Sequence, residues 1–319
     1  IGSILMNNKN ELELQINNSA WLDQSGKLAS IYKISQLTEF IGHPTWYRND
    51  TAIDEYYNNL TIGTSYFRNG LNKKRFSVKK SLQALTNTIN NNLNSIVWKD
   101  GIFRMNAQYS QKINAIILPA GVMQLPFFMN DIPEPVQYGA LGSMIGHELS
   151  HSFDESGRKL AYDSSPMIWS EESVRAFRAK AQCFINQYNK FQYELEPVNF
   201  TAYVNGAKTE MENMADNVGL HINYAAFRQE TRRKQRNYRR LPGLQYFQND
   251  QLFFLSYANI WCENTMPVYL AYLTKFPSNH CIGKHRTIGS LSNTEAFANA
   301  FHCPKGSAMN ANDKCSLWA

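Results

Sequence analysis

The chain has 319 residues, of which 43% are hydrophobic, 13% aromatic and 18% charged. At about 150 residues per domain this is one large domain or two smaller ones, and the apolar content supports a sizeable core, which excludes a chain disordered throughout. The net charge of +6 and pI near 8.9 do not call for a nucleic-acid partner. The densest basic run (Arg232, Arg233, Lys234, Arg236, Arg239, Arg240) comes with no nucleic-acid-binding signature and reads as a solvated helix face.

Taken in chain order, Leu22, Ala29, Ile31, Ile34 and Leu37 predict an amphipathic helix, broken where Gly42 and Pro44 interrupt the pattern. Further helical stretches are expected over residues 60–71 and 82–93, the latter running into the polar triplet Asn90, Asn91 and Asn92. The first hundred residues therefore read as mostly α. The β-branched run Ala115, Ile116, Ile117 and Leu118, closed by Pro119, Ala120 and Gly121, predicts a strand and a turn. Residues 137–151 predict a buried helix, with Tyr138, Leu141, Met144, Ile145 and Leu149 packing through small Gly and Ala neighbours. Pro197, Pro242, Pro267 and Pro277 punctuate further helical segments. No apolar run reaches the ~18 residues of a membrane span. No signal peptide is visible, and the start at Ile1 fits a processed chain or a piece of a longer one.

The five cysteines, Cys183, Cys262, Cys281, Cys303 and Cys315, form no Cys-x-x-Cys pair, so a cysteine-based zinc site is not expected. An odd count leaves at least one thiol free or paired outside the chain. Sequons at Asn17, Asn49, Asn59 and Asn199, with the scattered cysteines, lean towards an oxidising secretory compartment.

The sharpest signal is His147-Glu148-Leu149-Ser150-His151. On a helix, positions i and i+4 share a face, so two imidazoles can reach one Zn²⁺ while Glu148 projects beside it, placed to take a proton from water. With 7 histidines in the chain, chance produces this pattern in roughly one such chain in a hundred. A catalytic zinc needs a third protein ligand, and no histidine follows His151 until His221. Glu212 and Asp216, spaced i, i+4, could supply a ligand and a carboxylate that orients a ligand histidine. On spacing alone, an ordinary carboxylate pair near a helix N-terminus is an equal reading.

The motifs together resemble the neprilysin family of zinc endopeptidases, which includes the endothelin-converting enzymes. The matching residues are Asn106-Ala107-Gln108-Tyr109, Pro119-Ala120-Gly121, Leu125-Pro126-Phe127-Phe128, the zinc helix framed from Gly146 to Asp154, and Glu212-Asn213-Met214-Ala215-Asp216. Leu241-Pro242-Gly243-Leu244, Gln251-Leu252-Phe253-Phe254, Trp261-Cys262, Ala300-Phe301-His302-Cys303 and the closing Cys315 follow in order. The likeness runs from about residue 30 to the end. The chain departs from it at Met211 and Val218, where the family carries glycine, and at Cys281.

The resemblance implies an α+β, mostly α-helical fold: a thermolysin-like zinc peptidase catalytic domain over 101–319. Residues 1–100 would be the last part of a helical capping domain and its return into the catalytic domain. It implies one Zn²⁺ on His147, His151 and Glu212, with Glu148 as general base, Asp216 behind His147 and Asp154 behind His151. It further implies Asn106 and Ala107 as the edge holding the substrate backbone, His280 stabilising the oxyanion and Arg286 binding a substrate carbonyl. Val122, Phe127, Met144 and Trp261 would line an apolar specificity pocket. Cys183 would pair with Cys315, and Cys262 and Cys303 with cysteines in a missing N-terminal half. That half would also carry the only membrane anchor of an extracellular or cell-surface enzyme acting on small peptides. The competing readings are a catalytically impaired fragment or homologue that binds peptides or a partner, and an unrelated zinc hydrolase, whose mark would be a third histidine at short spacing.

Overall fold

The computed structural model describes residues 1–86, 97–98, 101–195, 200–234, 240–276 and 278–318. The far end of the helix expected to reach Leu93, the Asn90–Asn92 triplet, Pro197, Asn199, Arg236, Arg239 and Pro277 lie outside the described residues.

The fold is mostly helical with small sheets, as expected. Two compact units divide it: Ile1–Thr38 with Ala107–Ile116 and Gln124–Ala319, and Glu39–Asn106 with Ile117–Met123. A three-stranded sheet takes Thr38–Gly42, Ala115–Pro119 and Gln108–Ser110 in that spatial order. Gln192–Leu195 and Phe200–Tyr203 form an antiparallel hairpin with Gln192 opposite Tyr203.

The second unit contains the helices Asp50–Tyr57 and Tyr66–Thr86. The latter replaces two shorter expected helices. The segment between Leu71 and Leu82 is rich in lysine and arginine, which are good helix formers even where the apolar stripe is thin.

The first unit opens with a helix that hydrophobic spacing alone did not reveal, Gly2–Asn18. Its buried face includes Leu5, Leu12 and Ile16 but also Asn8, which blurs the apolar pattern. Asn8 Nδ2 donates to the carbonyl of Ile4 and to Oδ1 of Asn223, so its amino group is satisfied inside the core. The expected helix after Leu22 is Gln24–Ser35, capped by Asp23, whose side chain accepts from the Gly26 amide. The predicted buried helix is a short turn at Glu134–Gln137, a wider π-type turn over Tyr138–Gly142 and the helix Ser143–Ser150.

Ser143–Ser150 packs against the long helix Glu210–Lys234 so closely that backbones touch. A Cβ at Gly146 would meet the carbonyl of Gly219, and one at Gly219 would meet the amide of His147. The face of the long helix that makes this crossing is marked by Glu212, Asp216, Gly219 and Asn223, at i, i+4, i+7 and i+11. Below the crossing, Asn223 Nδ2 donates to the Tyr138 carbonyl at 2.7 Å and to the Ser143 hydroxyl at 3.0 Å. Above it, Glu212 and Asp216 face the histidine helix. Val218, one of the departures from the family pattern, is a buried core residue and leaves the crossing itself to Gly219.

The remaining helices, Glu171–Tyr188, Asn249–Asn259, Pro267–Lys275, Gly283–Asn293 and Glu295–Ala300, complete this unit. A disulfide joins Cys183 to Cys315 across 132 residues of sequence. Beside it the rings of Trp21 and Trp318 stack at 5.4 Å, with Trp169 edge-on to Trp21 at 5.7 Å.

Gly219→Ala forces two backbones apart, and urea unfolding should show a loss of about 1–3 kcal/mol, the usual cost of overpacking. His221 lies on the same long helix, in contact with Thr294. Its Nε2 lies 3.1 Å from the Thr294 hydroxyl, whose own proton goes to the Ser290 carbonyl, and burial lowers its pKa to about 4. The unfolded chain takes up this proton near pH 6.5 and the folded chain only near pH 4. Stability is therefore lost as the pH falls through that window. Unfolding at pH 7 and pH 5 should show His221→Gln removing on the order of 2 kcal/mol of the acid-dependent loss.

Candidate active site

His147 and His151 lie one turn apart at the C-terminal end of Ser143–Ser150. Their Nε2 atoms approach to 3.1 Å. Oε2 of Glu212, from the first turn of Glu210–Lys234, lies 3.2 Å from His147 Nε2 and 3.6 Å from His151 Nε2. Each imidazole is held from behind by a carboxylate: His147 Nδ1 donates to Asp216 Oδ1 at 2.9 Å, and His151 Nδ1 to Asp154 Oδ2 at 2.9 Å.

These partners set the tautomers. With both Nδ1 atoms protonated toward carboxylates, the neutral rings turn their Nε2 lone pairs toward each other and toward the Glu212 carboxylate. Oε2 of Glu212 is buried and accepts no hydrogen bond of good geometry. Three lone-pair donors facing one point need a cation between them. Ligands at ~2.0–2.1 Å from one tetrahedral ion stand about 3.3 Å apart, which the three observed separations bracket. His₂Glu is a donor set that suits Zn²⁺, and among the described residues it is the cluster of three such donors that could hold a metal.

The electrostatics are layered around this point. Burial alone would raise the Glu212 carboxyl, but in the metal-free protein the imidazoles of His147, His151 and His280 in their protonated form hold it far below the usual carboxylate range. Asp216 is fully enclosed, and burial likewise opposes its charge. The Arg286 guanidinium, donating from Nε and Nη2 at 2.7 Å each, with the His147 hydrogen bond, keeps its carboxyl low. Arg286 Cζ in turn lies over the Trp261 ring, 3.7 Å from its centroid, a cation–π contact within the buried network.

Glu148 does not join the three donors. Its Oε2 accepts from the backbone amide of Tyr109, in the strand Gln108–Ser110, at 2.7 Å. This contact was not legible in the motif, because a backbone donor leaves no residue signature. His280 reaches the cluster from the loop before Gly283–Asn293: its half-exposed ring places Nε2 3.0 Å from Glu212 Oε2.

The other expected substrate contacts divide between the two units. Ala107 is buried and belongs to the unit of the histidines, two residues before Tyr109. Asn106, exposed, and Val122, fully buried, belong to the other unit. Met144 is half-buried one helical turn before His147, Phe127 is half-buried in the segment after Gln124, and Trp261 is the platform for Arg286. Cys281 is buried beside Asn213, with Tyr188 and Tyr193 in the same apolar cluster, and burial pushes its thiol up to about 11. Cys262 is exposed and Cys303 half-buried, both unpaired.

The sequence profile of peptidase family M13 matches residues 106–317, which contain every one of these side chains. The chain belongs to peptidase family M13. Mouse membrane metallo-endopeptidase-like 1 is 36% identical over 322 positions, covering 100% of this chain and 40% of that protein. The endothelin-converting enzyme homolog of Locusta migratoria is 35% identical over 95% of this chain and 40% of its own length. The chain thus spans about 40% of the length of these relatives. Among solved structures, the Mycobacterium tuberculosis zinc metalloprotease Zmp1 in complex with an inhibitor superposes with a TM-score of 0.84 at 24% identity, over 100% of this chain and 47% of that one. The Haemonchus galactose-containing glycoprotein complex gives 0.83 at 25% identity, over 99% of this chain and 48% of that one.

The paired carboxylates lead to a prediction about metal affinity. Asp216→Asn keeps the shape but weakens the grip on the His147 tautomer and leaves Arg286 without its counter-charge. Competition with a chromophoric chelator should show Zn²⁺ binding 10- to 100-fold weaker.

Proposed function

We propose that this chain carries the catalytic centre of a zinc-dependent endopeptidase that hydrolyses peptide bonds in small extracellular peptides. The single observation that carries the reading is Glu148. It stands beside a His₂Glu donor cluster, outside it, with one carboxylate oxygen held by the Tyr109 amide. A carboxylate spent on the metal could not carry protons; this one is free to do so.

When bound, Zn²⁺ supplies Lewis acidity toward a water and a peptide carbonyl. In this reading Glu148 takes a proton from the attacking water and returns it to the leaving amine. The Tyr109 amide fixes one oxygen of Glu148 and so orients the other. His280 and Arg286 stabilise charge that develops on the carbonyl oxygen: Arg286 uses Nε and Nη2 on Asp216, which leaves Nη1 outside that fork for a substrate carbonyl. Within the unit of the histidines, Ala107 holds the substrate backbone, and Phe127, Met144 and Trp261 shape the apolar pocket. The unit of Ile1–Thr38, Ala107–Ile116 and Gln124–Ala319 is read as the catalytic domain, and that of Glu39–Asn106 with Ile117–Met123 as part of a capping domain.

A cell-surface or secreted setting rests on the relatives' character and on the sequons, of which Asn17, Asn49 and Asn59 are exposed. Among the described residues no helix is long and apolar enough to cross a membrane. Because the chain spans under half of its relatives, peptide cleavage is assigned to the whole protein that contains it.

The test is made on the full-length protein with a fluorogenic peptide, alongside elemental analysis for zinc. The expected result is one Zn²⁺, turnover abolished by chelation and restored by zinc, and Glu148→Gln that keeps its zinc with turnover reduced by at least a thousandfold. Parent-rate turnover in Glu148→Gln would remove Glu148 as the base. Stoichiometric zinc with no cleavage in the wild type would favour a peptide-binding role.

A further inference from the structure

Lys33 is a buried charge that the reading above leaves without a task. It lies on Gln24–Ser35 and is 1% exposed. Lysine is almost never buried so completely unless its ammonium is satisfied, and a well-packed apolar residue would fill such a slot without desolvating a charge. Its Nζ donates to the carbonyls of Ser152 at 2.9 Å and Gly157 at 2.7 Å. The Phe153 and Tyr109 rings lie beside it, with centroids 5.5 and 6.0 Å away.

The two carbonyls bracket Asp154. Oδ1 of Asp154 accepts from the amides of Ser156 at 2.9 Å and Gly157 at 2.7 Å, and its Oδ2 accepts from His151. The turn that carries the prop of the second histidine is therefore tied at both ends to one ammonium. Burial lowers that ammonium's pKa to about 8, and the nearby Asp154 charge pulls it back up. The Lys33 carbonyl accepts from Asn114 Nδ2, Asn114 Oδ1 accepts from the Tyr109 hydroxyl, and the Tyr109 amide holds Glu148. One residue of a neighbouring helix thus reaches both the support of His151 and the strand that holds Glu148.

We propose that Lys33 is a positioning residue of the metal centre: by clamping the Ser152 and Gly157 carbonyls on either side of Asp154, it fixes the carboxylate that orients His151. The inference rests on the reading of His147, His151 and Glu212 as zinc ligands. It gives Lys33 an effect on metal binding that travels through Asp154 and not through the prop of the other histidine, Asp216.

The experiment is a pair of double-mutant cycles on the full-length protein, read as Zn²⁺ affinity by chelator competition. Lys33→Met is combined once with Asp154→Asn and once with Asp216→Asn. Lys33→Met alone should weaken zinc binding about tenfold, within the range for groups behind a metal ligand. In the Asp154→Asn background that loss should shrink to about twofold or less, and in the Asp216→Asn background it should stay near tenfold. A merely structural lysine would lower the melting temperature of the apo protein and leave zinc affinity unchanged, or weaken it equally in both backgrounds. Either result overturns the proposal. If Lys33→Met does not fold, Lys33→Gln, which keeps a donor on a shorter stem, enters the same cycles. A wild type that binds no zinc overturns the metal reading and this inference together. A wild type that binds zinc beside a Lys33 variant that binds it equally well overturns this inference alone.

Discussion

The backbone contact between Gly146 and Gly219 is the constraint on which the site depends. Helices packed through ordinary side chains stand 8–10 Å apart. At that spacing a glutamate on one and histidines on the other meet only at the ends of extended side chains. Glycine on both sides of the crossing brings the backbones into contact, and the positions that follow inherit the proximity. Asp216 and Glu212 come one and two turns back along the long helix, and His147 and His151 one and five residues on along the short one. The separations near 3 Å between His147, His151 and Glu212 are the consequence. Asn223, on the opposite side of the crossing, locks the same two elements through Tyr138 and Ser143.

Close approach creates an electrostatic problem that the surrounding residues solve in pairs. Burial opposes the charge of Asp216, which meets the Arg286 guanidinium, and the buried Asp154 lies in a turn held by Lys33 from another helix. The two cations act differently. Arg286 offers a planar fork that engages both oxygens of Asp216, whereas Lys33 is a point charge that holds the peptide groups around Asp154 and leaves the carboxylate to the backbone amides. Each carboxylate thus accepts from an imidazole Nδ1 and keeps the opposite nitrogen free as a donor atom.

How much of this was legible in the sequence depended on whether a contact leaves a residue signature. The His-Glu-x-x-His spacing and the Glu212/Asp216 pair are side-chain patterns on helices, and the structure brings them to one point. The helix Gly2–Asn18 escaped because Asn8, Lys9 and Glu11 sit on its buried side and dilute the apolar period. The continuous helix Tyr66–Thr86 was divided in two for the opposite reason: helix propensity without a strong apolar stripe bridges a gap that periodicity treats as a break. The Tyr109 amide on Glu148 could not be read at all, since it depends on which strand residue faces the helix. Lys33 left no signal, because nothing in the local sequence marks it as buried.

His280 differs from the rest of the cluster in its exposure, and that difference bears on its role. His147, His151, Glu212 and Asp216 are enclosed, with positions fixed by packing. The His280 side chain is half exposed on a loop, anchored on its C-terminal side by buried Cys281 and the run into Gly283–Asn293. In the proposed mechanism His280 meets a substrate arriving from solvent, and such a group cannot be sealed like a ligand. It needs a rigid base and a free end, and the loop between Cys281 and the preceding Ser278, whose hydroxyl accepts from the His280 amide, provides both. The gradient from enclosed ligands, through the half-covered Trp261 platform, to an exposed histidine gives the centre a direction. The metal-binding side faces the helix crossing, and the side open to solvent is where a peptide carbonyl would be met.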